Sequence, residues 1–299
     1  MNVGHNIFTV EAFKQQRIHM TDVGFVPTMG ALHDGHLALI KACLLECQTC
    51  IVSIYVNPTQ FAAHEDLNTY PKTLEIDLNK LHGLNSDIIV VLPTEQDMYP
   101  NGIQAGTTIQ MLKGSLYEGM IRPHFFGGVC TIVTKLLNLV QPKIAYFGQK
   151  DFQQASIITQ LVQDLLLDIQ IRIVPTIREP NGLAMSSRNI YLSKDQKTKS
   201  LCLYNLLQHI KSILPISTNL QLDIQTIKSQ FNASNPFQLE YLEIVHGMSL
   251  EPVLHSFDFT NISTPFYISN SIVSIMAAIK LNDSLRLIDN LVIRNKSSF

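Results

Sequence analysis

The feature that most constrains the fold is an alternation of short buried runs with longer helical segments over the first 180 residues. The runs rich in Ile, Val, Phe and Tyr, which predict strands, are Val23–Pro27, Cys50–Val56, Asp87–Leu92, Ile144–Phe147 and Ile169–Val174. The segments that predict helices are Leu37–Glu46, Thr73–Leu81, Val129–Val140 and Asp151–Leu165. This alternation is typical of a parallel α/β sheet with helices on both faces, and such sheets bind ligands at the carboxyl ends of their strands.

The pattern changes after Ser193, so we expect two domains, residues 1–180 and a smaller α+β domain over residues 181–299. A helix is predicted over Lys194–Leu214 and ends at Pro215. Predicted strands cover Tyr241–Val245, Phe266–Ser269 and Ile272–Ile279, and Thr260–Thr264 is interpreted as a loop.

Charge and hydropathy favour small-molecule partners. The chain has 22 Lys and Arg against 24 Asp and Glu, a net charge of −2, which predicts no broad field for nucleic acid or acidic membranes. No apolar run reaches the roughly eighteen residues of a membrane span, and Met1–His5 lacks the basic lead of a secretory segment. We therefore predict a cytoplasmic protein.

Three of the five cysteines have a spacing that metal clusters also use. Cys43, Cys47 and Cys50 form Cys-x3-Cys-x2-Cys, as in radical enzymes that use S-adenosylmethionine. Cluster ligands need a loop that wraps the metal, whereas these residues lie in a predicted helix and at a strand start, so buried core thiols are favoured.

The segment Pro27–His36 combines a strand, a glycine-bearing turn and a helix start. His33 and His36 are three residues apart, so both rings can reach an anion at the positive end of the helix dipole. Helix starts also attract polar side chains as caps, and that alternative stays open. The layout points to nucleotide chemistry without a P-loop.

Two further strand ends carry polar clusters. Asn57 and Gln60 offer amide groups suited to a small hydroxy acid, although Asn57 also fits a simple turn. Lys150 offers a compact cation for phosphates and Asp151 an acceptor for ribose hydroxyls. The alternative is that Asp151 only caps the next helix and Lys150 is solvated.

Two loops add cations. Arg178–Asn189 is expected to be a mobile loop whose Ser186, Ser187 and Arg188 can close on a transferring phosphate; as a lone signal it is a surface turn. Arg122–Gly128 adds an arginine and a histidine before a helix, and a turn with a solvated arginine is the alternative.

Together these segments resemble the pantothenate synthetase (pantoate–β-alanine ligase) family. The resemblance runs from Gly24 to Ser193 and, more thinly, to Arg286–Asn290. The motifs that carry it, in order and spacing, are Val26–His36, Val56–Phe61, Tyr70-Pro71, Tyr146–Gln154 and Glu179–Asn189. It implies a homodimer with a Rossmann-like first domain and a smaller second domain that acts as a lid.

The resemblance implies a two-step reaction with ATP and Mg²⁺. The carboxylate of (R)-pantoate attacks the α-phosphate of ATP and releases diphosphate; the amine of β-alanine then attacks pantoyl adenylate and releases AMP. The first nucleophile is already ionised at neutral pH, so no activating base is required. Catalysis should come from positioning and charge neutralisation.

The resemblance also implies roles for individual residues. His36 matches the proton donor and His33 a phosphate ligand, with Lys150 and Arg188 completing the catalytic set. The implied ATP-binding residues are Met29, Gly30, Ala31, Leu32, His33, Asp34, Gly35, His36, Gly148, Gln149, Lys150, Asp151, Ile177, Met185, Ser186, Ser187 and Arg188. The implied pantoate and β-alanine residues are Gln60, Gln154, Asn57, Tyr70 and Arg122.

One segment departs from the family pattern. Where the family usually reads Arg-Pro-Gly-His-Phe, this chain has Arg122-Pro123-His124-Phe125-Phe126, so Phe125 stands at the histidine position. Phenylalanine cannot donate to a phosphate, and that contact is either lost or taken over by His124.

Two rival classes are less well supported. An aminoacyl-tRNA synthetase could share the histidine motif and a loop like Ala184–Arg188, but it should carry a basic RNA-binding region, and neither half of this chain is visibly basic. A non-catalytic nucleotide-binding module would not need Gln60, Gln154 and two phosphate-facing loops at once.

Overall fold

The computed structural model describes residues 6–63, 65–281 and 285–296. Residues 1–5, which bear on the secretory-segment prediction, lie outside this range. No helix among the described residues is long and apolar enough to cross a membrane. The chain divides into two compact units, residues 1–147 with 157–174 and residues 148–156 with 175–299.

The first unit is built on a six-stranded sheet in the order β1-β4-β3-β2-β5-β6. The pairs β1–β4, β4–β3, β3–β2 and β2–β5 are parallel, which confirms the predicted α/β class. Its elements are β1 (Ile7–Phe8), α1 (Val10–Arg17), β2 (Val23–Thr28), α2 (Asp34–Glu46), β3 (Thr49–Ile54), α3 (Leu74–Leu84), β4 (Ile89–Val91), α4 (Glu95–Met98), α5 (Glu118–Ile121), α6 (Phe125–Val140), β5 (Ile144–Gly148), α7 (Phe152–Asp164) and β6 (Gln170–Val174).

The strand order places the histidine segment at a reversal of the sheet. From β2 the chain proceeds outward through β3 and β4, and it then returns to pair β5 with the other side of β2. Such a switch point is where open α/β sheets bind ligands. The first four residues of β2 are buried, and the strand has the continuous apolar sequence that is typical of a buried parallel strand. Its carboxyl end delivers Met29–His36 to this point.

Helix α6 starts four residues earlier than predicted. The sequence predicted a start at Val129 after a glycine-bearing turn, yet Gly127 and Gly128, poor helix formers by type, lie inside the helix. Close packing explains both: a Cβ on Gly127 would lie 2.8 Å from the Gln110 amide, and one on Gly128 would lie 2.5 Å from the backbone oxygen of Thr59. Tertiary packing therefore overrides helix propensity here.

The second unit contains a four-stranded antiparallel sheet in the order β7-β9-β10-β8. Its elements are α8 (Lys194–Ile213), α9 (Leu220–Ser234), β7 (Gln238–His246), β8 (Phe259–Asn261), β9 (Ile272–Lys280) and β10 (Arg286–Asn295). The strand prediction for Phe266–Ser269 is wrong, and Thr260, assigned to a loop, lies in β8. The sequence analysis missed β10 because polar residues interrupt its apolar pattern.

Candidate active site

The turn after β2 is held by a buried carboxylate. Asp77 of α3 accepts the backbone N–H groups of Ala31 and Leu32, each at 2.8 Å, and the Thr73 hydroxyl at 3.1 Å. It is 1% exposed. Gly30 and Ala31 have φ of +81° and +50°, a left-handed pair that needs external support. The sequence analysis missed Asp77, although its position four residues before buried Leu81 puts it on the inner face of α3.

His33 and His36 cap helix α2 reciprocally. His33 Nδ1 accepts from the Gly35 N–H at 3.1 Å, and His36 Nδ1 accepts from the His33 N–H at 3.3 Å. The ring centroids are 4.1 Å apart. Because both Nδ1 atoms accept, each neutral ring carries its proton on Nε2. The capping alternative and the ligand hypothesis are therefore compatible: one side of each ring caps the helix and the other side is a donor.

Gly35 makes this arrangement possible. A Cβ at residue 35 would lie 2.8 Å from Cε1 and 2.9 Å from Nδ1 of His33. These distances are shorter than van der Waals contact, so any larger residue would push the ring away from the cap. The glycine between the histidines is required by the approach of the ring to the backbone.

The predicted amide pair is part of a buried network in the first unit. Asn57 is 1% exposed; its Nδ2 donates to the Gly128 carbonyl and to Gln60 Oε1, both at 3.2 Å. Asn57 Oδ1 accepts the Tyr99 hydroxyl at 2.7 Å and the Thr59 hydroxyl at 3.1 Å. The hydrogen-bonding groups of the Asn57 amide are thus engaged within the protein.

Gln60 is held differently. Its Nε2 donates to Met29 Sδ at 3.0 Å. A thioether is a weak acceptor, so a ligand oxygen would compete for this donor easily. Tyr70 is buried and meets Phe61 edge-on with ring centroids 5.8 Å apart. The cluster therefore presents one exchangeable amide donor, that of Gln60.

Arg122 is paired with two carboxylates. Its Nε and Nη2 contact the two Glu65 oxygens at 2.6 and 2.5 Å, and Nη1 lies 3.6 Å from Glu118. These three side chains are 15%, 17% and 6% exposed. His124 is exposed and precedes α6 without a side-chain cap. Glu65 lies 57 residues before Arg122 in sequence, whereas Glu118 is four residues before it.

In the second unit, Lys150 is positioned through its backbone. Asn290 of β10 donates to the carbonyls of Gln149 at 2.9 Å and Lys150 at 2.8 Å, and Gln149 Nε2 donates back to Asn290 Oδ1 at 3.0 Å. Lys150 Nζ lies 3.6 Å from Asp151. The side chains of Lys150 and Asp151 are 21% and 44% exposed, so both are accessible to a ligand.

The segment expected to be a mobile loop has the conformation of a hydrogen-bonded hairpin in this structure. Met185 N–H donates to Ile177 O at 3.0 Å, and Arg178 forms an antiparallel bridge with Ala184. Gly182, with φ of +101°, lies in the turn. A short 3-10 helix over Ser187–Tyr191 follows. Backbone hydrogen bonds thus pair the two arms of this segment.

A buried ion pair supports the hairpin. Arg178 contacts both Asp289 oxygens, at 2.6 and 2.9 Å, and lies 4.1 Å above the Tyr204 ring. Burial raises the pKa of Asp289, and the hydrogen bond from Arg178 opposes that shift. Beyond the hairpin, Ser186 Oγ caps the 3-10 helix by accepting the Arg188 N–H at 3.3 Å. Ser186, Ser187 and Arg188 are thus placed by backbone geometry.

A cavity of about 210 Å³ lies in the second unit. Its polar lining includes Gln149, Thr176 and Lys211, and Thr176 Oγ1 is buried with no hydrogen-bond partner among the described residues. Met185–Arg188 do not line it. Gln149, which lines this cavity, directly precedes Lys150 in the chain.

The three clustered cysteines lie in the core of the first unit. Cys43, Cys47 and Cys50 are all buried in its hydrophobic cluster. A hydrogen bond to Cys50 and burial raise the pKa of Cys43, and burial raises the pKa of Cys47, so both stay protonated thiols. Over residues 6–63, 65–281 and 285–296, His, Cys, Asp and Glu form no group of three that could hold a metal ion.

A family model and the sequences of curated proteins indicate the same family for this chain. The family model for pantoate-beta-alanine ligase matches residues 3–292. The pantothenate synthetase of Nitrobacter winogradskyi is 39% identical over 280 residues, 94% of each chain. That of Thermosipho africanus is 43% identical over 235 residues, 77% of this chain and 82% of that protein.

Solved structures agree in fold. The pantothenate synthetase of Thermus thermophilus superposes with a TM-score of 0.84 at 35% identity, covering 96% of this chain and 99% of that one. The pantoate-beta-alanine ligase of Francisella tularensis, solved with beta-gamma ATP and beta-alanine, gives 0.70 at 32% identity, with 97% and 98% coverage.

Proposed function

We propose that the histidine cap, the amide cluster and the second-unit cations of this chain have separate roles in one reaction. The chain belongs to the pantoate–β-alanine ligase family, and it joins pantoate to β-alanine with ATP through pantoyl adenylate. The observation that carries the assignment is the reciprocal cap. It fixes two Nε2–H donors side by side at the start of α2.

For adenylate formation we propose that the histidines stabilise the charge that develops on phosphate. His36 donates to the phosphate oxygens as the bond to diphosphate breaks, and His33 holds a neighbouring phosphate. Neutral imidazole N–H donors at the positive end of the α2 helix dipole suit an anion. No base is needed, because the pantoate carboxylate is ionised.

Gln60 is proposed to bind pantoate. Its amide N–H exchanges the Met29 thioether for a substrate oxygen, a stronger acceptor. Tyr70 and Gln154 are proposed to complete the binding of the small substrates. Asn57 acts on the substrate through Gln60, because its own amide is engaged by protein groups.

In the second unit, Lys150 and Arg188 are proposed to neutralise phosphate charge. Lys150 is a compact cation on a backbone fixed by Asn290. Ser186 and Ser187 supply hydroxyl donors, and Asp151 with Gly148 and Gln149 binds the ribose. Ile177 and Met185 are neighbours across the hairpin and are proposed to contact adenine.

Mg²⁺ is proposed to accompany ATP. The groups assigned to the phosphates are N–H donors and cations, and the Nδ1 atoms of both histidines are engaged by backbone N–H groups. Such a set suits a metal held by substrate phosphates and water. When bound, Mg²⁺ would neutralise phosphate charge. A homodimer and a cytoplasmic location are proposed on the family resemblance.

The test measures diphosphate release. With ATP and Mg²⁺ it should require pantoate, and pantothenate should form only after β-alanine is added. Release triggered by tRNA instead of pantoate would overturn the assignment.

The histidine role is tested with His36→Gln. Glutamine at the third helical position preserves the cap but removes the imidazole. We expect kcat to fall by about 10²- to 10³-fold while the ATP dissociation constant changes little. His82→Ala, at an exposed histidine in the last turn of α3, is the matched control. Unchanged kcat in His36→Gln would remove His36 from its role.

A further inference from the structure

We propose that Phe125 is a positioning residue for the pantoate subsite, because its ring fixes the Arg122 guanidinium, which holds the backbone carbonyl of Gln60. We call the Arg122 side chain in this position the strut. This inference rests on the proposed function of Gln60. It also replaces the expectation that Arg122 itself binds the substrate carboxylate.

The geometry around Arg122 leaves one face for Phe125. Arg122 Cζ lies 4.0 Å from the centroid of the Phe125 ring, within the range of a cation–π interaction. Along the edge of the guanidinium, Nε and Nη2 donate to the carboxylate of Glu65, and Nη1 lies near the carboxylate of Glu118. The planar group is therefore held in its plane by carboxylates and from above by the ring.

The local charge disfavours direct binding of an anion. One guanidinium faces two carboxylates, and all three side chains are at least four-fifths buried, where screening by water is weak. A carboxylate entering here would be repelled. Arg122 is thus neutralised within the protein and is not a free cation for pantoate.

The strut connects directly to Gln60. Arg122 Nη2 donates to the Gln60 carbonyl at 3.1 Å. The backbone of Gln60 also packs closely against Gly128, where a Cβ would lie 2.8 Å from the Gln60 nitrogen. Because its backbone carbonyl and nitrogen are both in close contact with neighbouring groups, Gln60 keeps its Nε2 directed at the position now taken by Met29 Sδ.

Phenylalanine and histidine differ at this position in a testable way. A phenyl ring offers the same π face at every pH. An imidazole can take up a proton near pH 6.5, and it would then present a cation instead of a π face to the Arg122 guanidinium. Phe125 therefore makes the strut independent of pH in the neutral range.

The experiment compares Phe125→Leu, Phe125→Tyr and Phe125→His in the full-length enzyme. Leucine keeps an apolar side chain without a π face; tyrosine keeps the π face. For Phe125→Leu we expect the KM for pantoate to rise about 3- to 10-fold, the range of a cation–π contact at a partly buried site. Its kcat and its KM for ATP should stay within about twofold. Phe125→Tyr should match the wild type.

Two further readouts separate positioning from a general structural effect. Phe125→His should approach the wild-type KM for pantoate at pH 8 and lose affinity at pH 6. Without substrates, exchange of the Arg122 Nε–H, followed by NMR, should be slow in wild type and Phe125→Tyr and faster in Phe125→Leu.

Equal KM values for pantoate in the leucine and tyrosine variants, or equal Nε–H exchange, would overturn the inference. An equal rise in the KM for ATP would do the same. Failure of the wild type to use pantoate would instead refute the proposed function, and the exchange experiment would still decide whether Phe125 holds Arg122.

Discussion

Replacement of Asp77 by asparagine tests whether one buried carboxylate holds the turn that precedes the histidines. The side chain has the same shape, but only one oxygen remains to accept the two N–H groups that Asp77 now binds at 2.8 Å. The other N–H would face an amide NH₂ group, a donor against a donor. The remaining hydrogen bond would also lose its charge.

The magnitude follows from these contacts. Losing one hydrogen bond to a charged group and leaving one buried donor unsatisfied costs about 2–4 kcal/mol of unfolding free energy. For a unit of this size we expect the melting temperature to fall by roughly 5–15 °C. The KM for ATP should rise more than the KM for pantoate, because the turn leads directly into the histidine cap.

The assay is thermal and denaturant unfolding, with steady-state kinetics on both substrates. Asp87→Asn is the matched control, since Asp87 is exposed in the loop between α3 and β4; it should change stability by less than about 0.5 kcal/mol. If the two variants unfold at the same temperature, Asp77 does not support the turn.

Three other substitutions give distinct outcomes. Gly128→Ala places a methyl group 2.5 Å from a backbone carbonyl of the amide turn and should raise the KM for pantoate, whereas Gly83→Ala, in open space on α3, should leave activity unchanged. Gly35→Ala should weaken ATP binding in calorimetry by displacing the His33 ring; unchanged affinity would contradict the cap geometry. The hydrogen bond from Lys143 lowers the pKa of Asp22, so Lys143→Met should raise that pKa in an NMR titration. The stability this contact adds is present above pH ~4 and is lost as the pH falls further.

Local signals predicted much of the fold. Apolar runs identified five strands of the parallel sheet because buried parallel strands are continuous in sequence. β10 belongs to the antiparallel sheet and was not identified, because Asp289 and Asn290 interrupt its apolar pattern. Both are buried, and they bind Arg178 and the backbone of Gln149 and Lys150.

The candidate site was predicted where neighbours in sequence are neighbours in space. His33 and His36 are separated by one helical turn, so their shared face could be inferred. Asp77 and Glu65 could not be assigned, because the groups that they bind lie 45 and 57 residues away in sequence and only tertiary packing brings them together. The sequence showed that residue 57 is an asparagine, but it could not show that the Asn57 amide is already hydrogen-bonded within the protein.

The link from Asn290 to the backbone of Lys150 sets a time order for the maturation of this enzyme. During synthesis the lysine leaves the ribosome early, yet the hydrogen bonds that place it come from the final strand, 140 residues later. The chain therefore lacks the hydrogen bonds that place the Lys150 backbone until β10 is in its sheet. A lesion that removes only β10 would therefore also displace Lys150, for which we propose a role in phosphate binding, although Lys150 itself stays in the sequence.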